Sequence, residues 1–326
     1  MDELTTTRSN GLIDPGLHIW HGEVAGYLFL GGVVAGVMVL MGLSLLARKD
    51  ERPSRHLALL PWSVPILLSV GMLFLWMDLE NRWNAFRFYL VFRPRSPMSW
   101  GAWILLAVYP SSLALAWKTT PAELKGSIFR WVHARWSGGA TALSAVDDWI
   151  DAHVSAVAMA NIIAGAALGV YTGMLLGTMA SRPLWNSAIL GPLFLTSGLS
   201  TGAAYMLLYR LNDGERVLLA RADMGFILLE LALIGIWLVG LVSGGGAHRD
   251  AAHVLLGGPF TTAFWVLVVA FGLVGPFLGE WMERRGGHVP GRLAAVMVLG
   301  GGLALRWILV YAGQHVGWAG ATAALF

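Results

Sequence analysis

The chain has 326 residues but no cysteine, and only 13% of its residues are charged. The absence of thiolates excludes the usual ligands of an iron–sulfur cluster and any redox-active thiol. The sequence also has no HExxH zinc motif and no glycine-rich phosphate loop between a strand and a helix. We therefore expect this chain to hold no iron–sulfur cluster and no metal of its own.

Apolar residues are abundant instead: they form 56% of the chain, and the mean hydropathy is +0.65. A bilayer core of about 30 Å requires about 20 helical residues, and apolar runs of that length recur throughout. Long unbroken runs favour helices over a barrel, whose strands are short and alternate in polarity. We predict an all-α polytopic integral membrane protein with about eight transmembrane helices, at 24–47, 57–77, 99–117, 153–180, 187–209, 222–243, 259–281 and 293–315.

The predicted organisation is a single membrane domain, residues 1–326, made of two related halves at 20–180 and 184–318. Residues 29–32 and 194–198 are alike, and glycines spaced by four lie at or just after the end of each stretch. Internal similarity of this kind is typical of membrane proteins built from repeats. It predicts two four-helix bundles.

Three predicted helices carry glycines four residues apart, a spacing that lets a neighbouring backbone approach closely. These glycines are Gly32 and Gly36; Gly165, Gly169, Gly173 and Gly177; and Gly198 and Gly202. The long connection at 118–151 differs, because its apolar residues over 128–136 alternate with basic ones at helical spacing. It predicts a short helix lying in the membrane interface.

Basic residues are distributed unequally between the two sides of the predicted bundle. The odd-numbered connections hold fourteen Lys and Arg residues, whereas the N-terminus and the other connections hold seven. The positive-inside rule then predicts a multi-pass protein of the bacterial inner (cytoplasmic) membrane with both termini outside. These residues also account for the net charge of +3 without a nucleic-acid partner.

A group of polar residues lies on the predicted outer side. His18, His21 and Glu23 stand at the start of the first span, Asp78 ends the second, and Tyr171 lies in the outer half of the fourth. A quinone site needs apolar walls and hydrogen-bonding groups at both oxygens, one of them able to exchange a proton. His and Tyr supply such groups, although single residues of these types are also common at membrane interfaces. All nine histidines fall at span ends or in connections, so we expect no haem.

A second polar set lies deeper. Asp223 and Glu230 are seven residues apart, two turns along one helix face, and Arg306 lies midway along the last span. Charged groups at this depth are costly and mark proton paths or buried ion pairs. Two interpretations stay open: a proton path entering at Asp223 with Glu230 as relay, or a Glu230–Arg306 pair that fixes helix register.

Several motifs resemble the NrfD-like family, the membrane subunits of polysulfide reductase and its relatives. The resemblance extends over most of the chain and is most specific in Ser-Pro-Met-Ser-Trp-Gly at residues 96–101. The other matching stretches are Trp-His-Gly-Glu at 20–23, the glycine-rich helix start at 27–36, Asp78, Arg-Phe-Tyr at 87–89, Tyr-Thr-Gly at 171–173 and Pro-Leu-Trp at 183–185.

The resemblance implies a quinone-binding membrane anchor, non-catalytic alone, that binds menaquinone or ubiquinone in a respiratory oxidoreductase complex. It implies an iron–sulfur subunit docked on one face and a molybdopterin-type catalytic subunit beyond it. It also implies that His21 and Tyr171 hold the quinone, whereas His18 stands where the family pattern has an amide. Together with the outer group, it suggests that a basic loop docks the partner through Arg82, Arg87, Arg93 and Arg95.

Two other functions fit the same helices. A secondary transporter would use the charged mid-membrane residues and helices broken at Pro61, Pro65 and Pro276. A purely structural tether would support assembly and bind no quinone. Partner dependence discriminates among the three, because only a transporter moves a solute when purified alone.

Overall fold

The computed structural model describes residues 20–47, 53–79, 82–179, 181–284 and 291–315. Within these ranges the chain is almost entirely helical and contains no strand. The all-α prediction is therefore confirmed. His18, for which a quinone contact was predicted, lies outside the described residues.

The helices of the first half are α1 (Gly22–Ala47), α2 (Arg55–Leu59), α3 (Ser63–Asp78), α4 (Arg87–Leu90), α5 (Pro97–Thr119), α6 (Ala122–Arg135), α7 (Ser137–Ala152) and α8 (Val154–Gly177). Two 3₁₀ turns, Leu60–Trp62 and Arg82–Asn84, join α2 to α3 and precede α4. The second half has α9 (Leu190–Leu207), α10 (Asp213–Val242), α11 (Gly246–Leu256), α12 (Thr261–Ala263), α13 (Gly275–Arg284) and α14 (Gly291–His315). A π-helical segment, Phe264–Val274, makes α12 and α13 continuous.

Seven helices in the described part of the chain are long and apolar enough to cross a membrane, so a multi-pass membrane protein is confirmed. The remaining predicted span, 187–209, forms the 18-residue helix α9, which is not among the seven. Its glycines and hydroxyl residues lower its hydropathy, and most of them are buried against α1, α8, α10 and α14. A helix enclosed by other helices meets little lipid and does not need an apolar surface.

The crossing of α1 and α9 brings the two backbones into contact. A Cβ atom added at Gly36 would collide with the carbonyl oxygen of Gly198, and one at Gly202 would lie 2.7 Å from the Gly36 backbone. A Cβ at Gly198 would lie 2.9 Å from the carbonyl oxygen of Gly32. The glycines predicted to form packing faces on these helices therefore pack against each other.

The glycine face of α8 packs in the same manner against both central helices. A Cβ at Gly165 would lie 2.9 Å from the Ala35 carbonyl oxygen of α1, and one at Gly173 would collide with Leu190 of α9. The predicted close approach on α8 is confirmed at these positions. The corresponding glycines of the two halves thus meet at the centre, while the prediction of two separate four-helix bundles stays a prediction.

We expect Gly36→Ala to destabilise the protein, because its methyl group has no space unless α1 and α9 separate. Overpacking of this kind typically costs about 1–3 kcal/mol. The matched control is Gly225→Ala in α10, where nothing lies within 4 Å of the added Cβ. Thermal unfolding of both variants in detergent should show a lower midpoint for Gly36→Ala only, and equal midpoints would contradict the packing argument.

The long connection forms two helices, α6 and α7, where one short helix was predicted. Lys125 of α6 pairs with Asp147 of α7 at 2.6 Å, and Trp117 Nε1 donates to the same carboxylate at 2.8 Å. Partial burial alone would raise the pKa of Asp147, but the hydrogen bonds from Lys125 and Trp117 outweigh it and hold the pKa below its usual value. The hairpin is thereby fixed to the end of α5.

The connections group at two ends of the bundle. At one end Glu215 accepts the backbone N–H of Ser54 at 2.9 Å, and Arg216 pairs with Glu283 at 2.9 Å. These contacts join the first, fifth and seventh connections, which the sequence places on one side. The start of α1 and the end of α14 meet at the other end. Which end faces the cytoplasm stays a prediction from the charge count.

Candidate functional site

The start of α1 is held by a two-point clamp from the last turn of α14. Gln314 accepts the N–H of Trp20 through Oε1 at 3.0 Å and donates to its carbonyl oxygen through Nε2 at 2.9 Å. Trp20 also stacks on Trp185, whose Nε1 donates to the Leu309 carbonyl oxygen at 2.7 Å. The residues that follow Trp20 therefore have a fixed position at this end.

His21, Glu23 and Asp78 form a cluster at the clamped end. Their imidazole and carboxylate ligand atoms all lie within 4.8 Å of one another, and the Asp78 carboxylate accepts the backbone N–H of His21. His21 is exposed, whereas Glu23 and Asp78 are half-buried. Three of the predicted quinone residues are thus brought together, by α1 and by the end of α3. The groups can hydrogen-bond a carbonyl oxygen and exchange a proton, and their spacing also suits a divalent cation.

Tyr171 lies apart from this cluster, in the gap between α5 and α8. A Cβ at Gly101 would collide with the Tyr171 phenol, so the glycine of the Ser-Pro-Met-Ser-Trp-Gly motif makes room for that ring. Tyr171 is 8% exposed and lines a cavity of about 390 Å³. The other lining residues are mainly apolar: Pro94, Arg95, Pro97, Trp100, Ile104, Ala167, Val170, Met174 and Thr178.

Two further tyrosines connect Tyr171 to α1. Tyr27 interacts electrostatically with Tyr171 and Tyr89, and Tyr171 interacts with Tyr89. Tyr27 is fully enclosed and lies six residues after His21, roughly 9 Å along α1. No contact among the described residues joins His21 directly to Tyr171, so this tyrosine group is the link between them. Tyr89, which approaches from the short helix α4, was not predicted as part of the site.

The four arginines of the basic loop are all exposed. Arg82 lies over the Trp76 ring at 5.5 Å and donates to the Met77 carbonyl oxygen at 2.8 Å, while Arg95 lines the Tyr171 cavity. Large apolar side chains are exposed beside them, including Trp83 at 84% and Leu90 at 70%. The loop therefore presents a mixed cationic and apolar surface next to the site.

Arg306 is fully buried in the middle of the bundle. Its Nη1 donates to Ser197 Oγ at 2.8 Å and to the Gly302 carbonyl oxygen at 2.9 Å. The Glu230 carboxyl faces the same Ser197 hydroxyl, and no direct ion pair joins these two described residues. The prediction of a Glu230–Arg306 contact pair is therefore wrong in detail, because the serine hydroxyl of α9 stands between the two charges.

Asp223 lies two turns before Glu230 on α10 and is also fully buried. Its Oδ1 accepts a hydrogen bond from Ser200 Oγ at 2.6 Å, and its carboxyl also bonds that of Glu280 on α13. The sequence analysis missed Glu280, as well as both serines. The only available signal was a carboxylate one turn inside the end of the seventh predicted span.

Comparisons with known proteins agree with the geometry. The chain matches the family described as polysulphide reductase, NrfD, over residues 12–317. It is 29% identical over 318 residues to the C chain of polysulfide reductase from Wolinella succinogenes, covering 91% of this chain and 94% of that protein. It is 29% identical over 314 residues to the Protein NrfD homolog of Haemophilus influenzae, covering 91% and 94%. It is 30% identical over 311 residues to Protein NrfD of Escherichia coli, covering 91% and 95%.

The family match includes every described helix, from the start of α1 to the end of α14. It therefore includes the clamped end, the Tyr171 cavity and the buried charges as parts of one fold, and it confirms the resemblance found in the motifs. The chain is a multi-pass membrane protein and belongs to the polysulphide reductase, NrfD family.

Proposed function

We propose that the protein is the quinone- or quinol-binding membrane anchor of a respiratory oxidoreductase complex. The observation that carries the proposal is the convergence of His21, Glu23 and Asp78 near a tyrosine-lined apolar cavity. Family membership supports it, since one relative is the C chain of a polysulfide reductase, and a protein so designated is one of several in a reductase.

The residues at this end fit a quinone. An apolar cavity of about 390 Å³ accommodates a ring, and the phenol of Tyr171 provides a hydrogen-bond donor on its wall. A bound quinone supplies two-electron chemistry that is coupled to proton exchange. His21 and Tyr171 hydrogen-bond the two oxygens, and Glu23 or Asp78 exchanges protons with the imidazole and with water. Menaquinone and ubiquinone share this requirement.

The partner follows from what the sequence of this chain lacks. With no cysteine to ligate a cluster, electrons pass between the quinone and an iron–sulfur subunit, and from there to a molybdopterin-type catalytic subunit. The exposed loop with Arg82, Arg87, Arg93 and Arg95 is the docking surface, because it is cationic, apolar and adjacent to the site. Its position is consistent with an outer face of the inner membrane.

The buried charges offer a proton route through the bundle. Asp223 and Glu230 lie roughly 10 Å apart along α10, and Ser200 and Ser197 of α9 face them in the same order. Asp223 serves as the entry and Glu230 as the relay, while Arg306 stabilises the charged form of Glu230 through Ser197. Retaining these groups at this depth is costly unless they act.

We expect Tyr171→Phe to weaken quinol binding while the fold is retained, because only one hydroxyl is removed. Loss of one hydrogen bond is worth about 0.5–1.5 kcal/mol, so KM for quinol should rise about three- to tenfold. The matched control is Tyr209→Phe at the opposite end of the bundle. Steady-state kinetics of the co-purified complex give both values. An unchanged KM would remove Tyr171 from the site, and solute flux by the isolated chain would favour a transporter instead.

A further inference from the structure

Asp223 and Glu280 bring two carboxyl groups together in the interior. They come from different helices, α10 and α13, and their side chains are 0% and 4% exposed. The structure joins them by a carboxyl–carboxyl hydrogen bond. Two ionised carboxylates in such contact would repel strongly where no water screens them, so a proton between them is required for the contact to persist.

The hydrogen bonds of Asp223 agree with a shared proton. Its Oδ1 already accepts the Ser200 hydroxyl at 2.6 Å. Its Oδ2 is buried and receives no N–H or O–H from the described residues outside the carboxyl contact. A proton held with Glu280 gives this oxygen its partner, and a buried oxygen without one is strongly disfavoured.

The pair also lies between the surface and the deeper acid. Glu283 follows Glu280 by three residues on the same face of α13, is partly exposed, and pairs with Arg216 at 2.9 Å. On the inner side, Ser200 leads to Ser197 one turn along α9, and thereby to Glu230. Glu280 is therefore nearer than Asp223 to the end where Arg216 and Glu283 meet water.

We propose that Asp223 and Glu280 hold one proton between them, and that Glu280 is the group through which the buried acids exchange protons with solution at the Arg216–Glu283 end. A proton from water binds the pair, which then carries two. The pair returns to one proton when one leaves past Ser200 toward Glu230, so the number of protons balances over the cycle. The inference rests on the proposed proton route and moves its entry from Asp223 to Glu280.

The test is infrared spectroscopy of the purified complex in lipid, in H₂O and D₂O. The native protein should show the carbonyl stretch of a protonated carboxyl group that shifts in D₂O. Glu280→Gln should remove this band, because an amide at position 280 donates to Asp223 without a shared proton. Glu280→Asp keeps a carboxyl on a shorter side chain and should move the band. The matched control, Glu123→Gln on exposed α6, should leave it in place.

A second measurement is proton uptake by vesicles that contain the complex during quinol turnover. Uptake through the Arg216–Glu283 end should fall about tenfold or more in Glu280→Gln. A carboxyl band that is absent from the native protein, or that persists in Glu280→Gln, would overturn the inference. The band does not depend on turnover. A complex that shows it yet does not react with quinone would therefore refute the proposed function and leave the carboxyl pair standing.

Discussion

His21→Gln should lower the kcat/KM of the complex for quinol by about 10²-fold or more, because the glutamine amide cannot accept and release a proton at neutral pH. The imidazole is exposed and lies within 4.8 Å of two carboxylates that can pass protons to water. Quinol oxidation by the purified complex measures the effect. Subunit composition should stay that of the native complex, since the backbone N–H of His21, which bonds Asp78, is retained.

The matched control for His21→Gln is His153→Gln, an exposed histidine between α7 and α8 at the opposite end of the bundle. It changes the same chemical group far from the cluster and should keep native turnover. Equal turnover in the two variants would exclude His21 from proton exchange. Addition of Zn²⁺ is a useful companion measurement, because the three ligand atoms of the cluster are close enough to bind a cation that competes with quinol.

Arg306→Met should be the most destabilising change in the bundle. The guanidinium is fully buried, and its removal leaves the Glu230 carboxylate without the positive charge that faces it across Ser197. Removing one member of a buried charge pair typically costs about 3–5 kcal/mol. The folded yield and the midpoint of thermal unfolding in detergent should both fall relative to the native protein.

The double variant Arg306→Met with Glu230→Gln separates charge from packing. Neutralising Glu230 removes the uncompensated charge, so the unfolding midpoint should recover most of the loss. A double variant as unstable as Arg306→Met alone would show that the hydrogen bonds to Ser197 and Gly302 dominate instead. A neutral single substitution would contradict the charge argument altogether.

The fold was largely predictable because the bilayer imposes both helix length and composition. The glycine series were equally informative, since a smooth face has little purpose except close packing, and Gly36 does meet Gly198 and Gly202. Span counting was less exact for α9. An enclosed helix can be as polar as its neighbours allow, so hydropathy alone separates it poorly from a soluble segment.

The candidate site was predictable only in part. His21, Glu23 and Asp78 could be grouped because each lies at a span end on the same predicted side, and the structure brings them together. Helix rotation and tilt are not encoded in spacing. Residue spacing therefore does not indicate that Ser197 separates Glu230 from Arg306, or that Glu280 reaches Asp223 from another helix.

The backbone contact between α1 and α9 limits how the molecule can move. With Gly36 set directly against Gly198 and Gly202, the two central helices have no intervening side chains that could change rotamer and allow sliding. A rocking cycle that opens the protein alternately to either side would have to break this seam on every turnover. A rigid scaffold, by contrast, keeps donor and acceptor at constant separation while only protons and electrons travel.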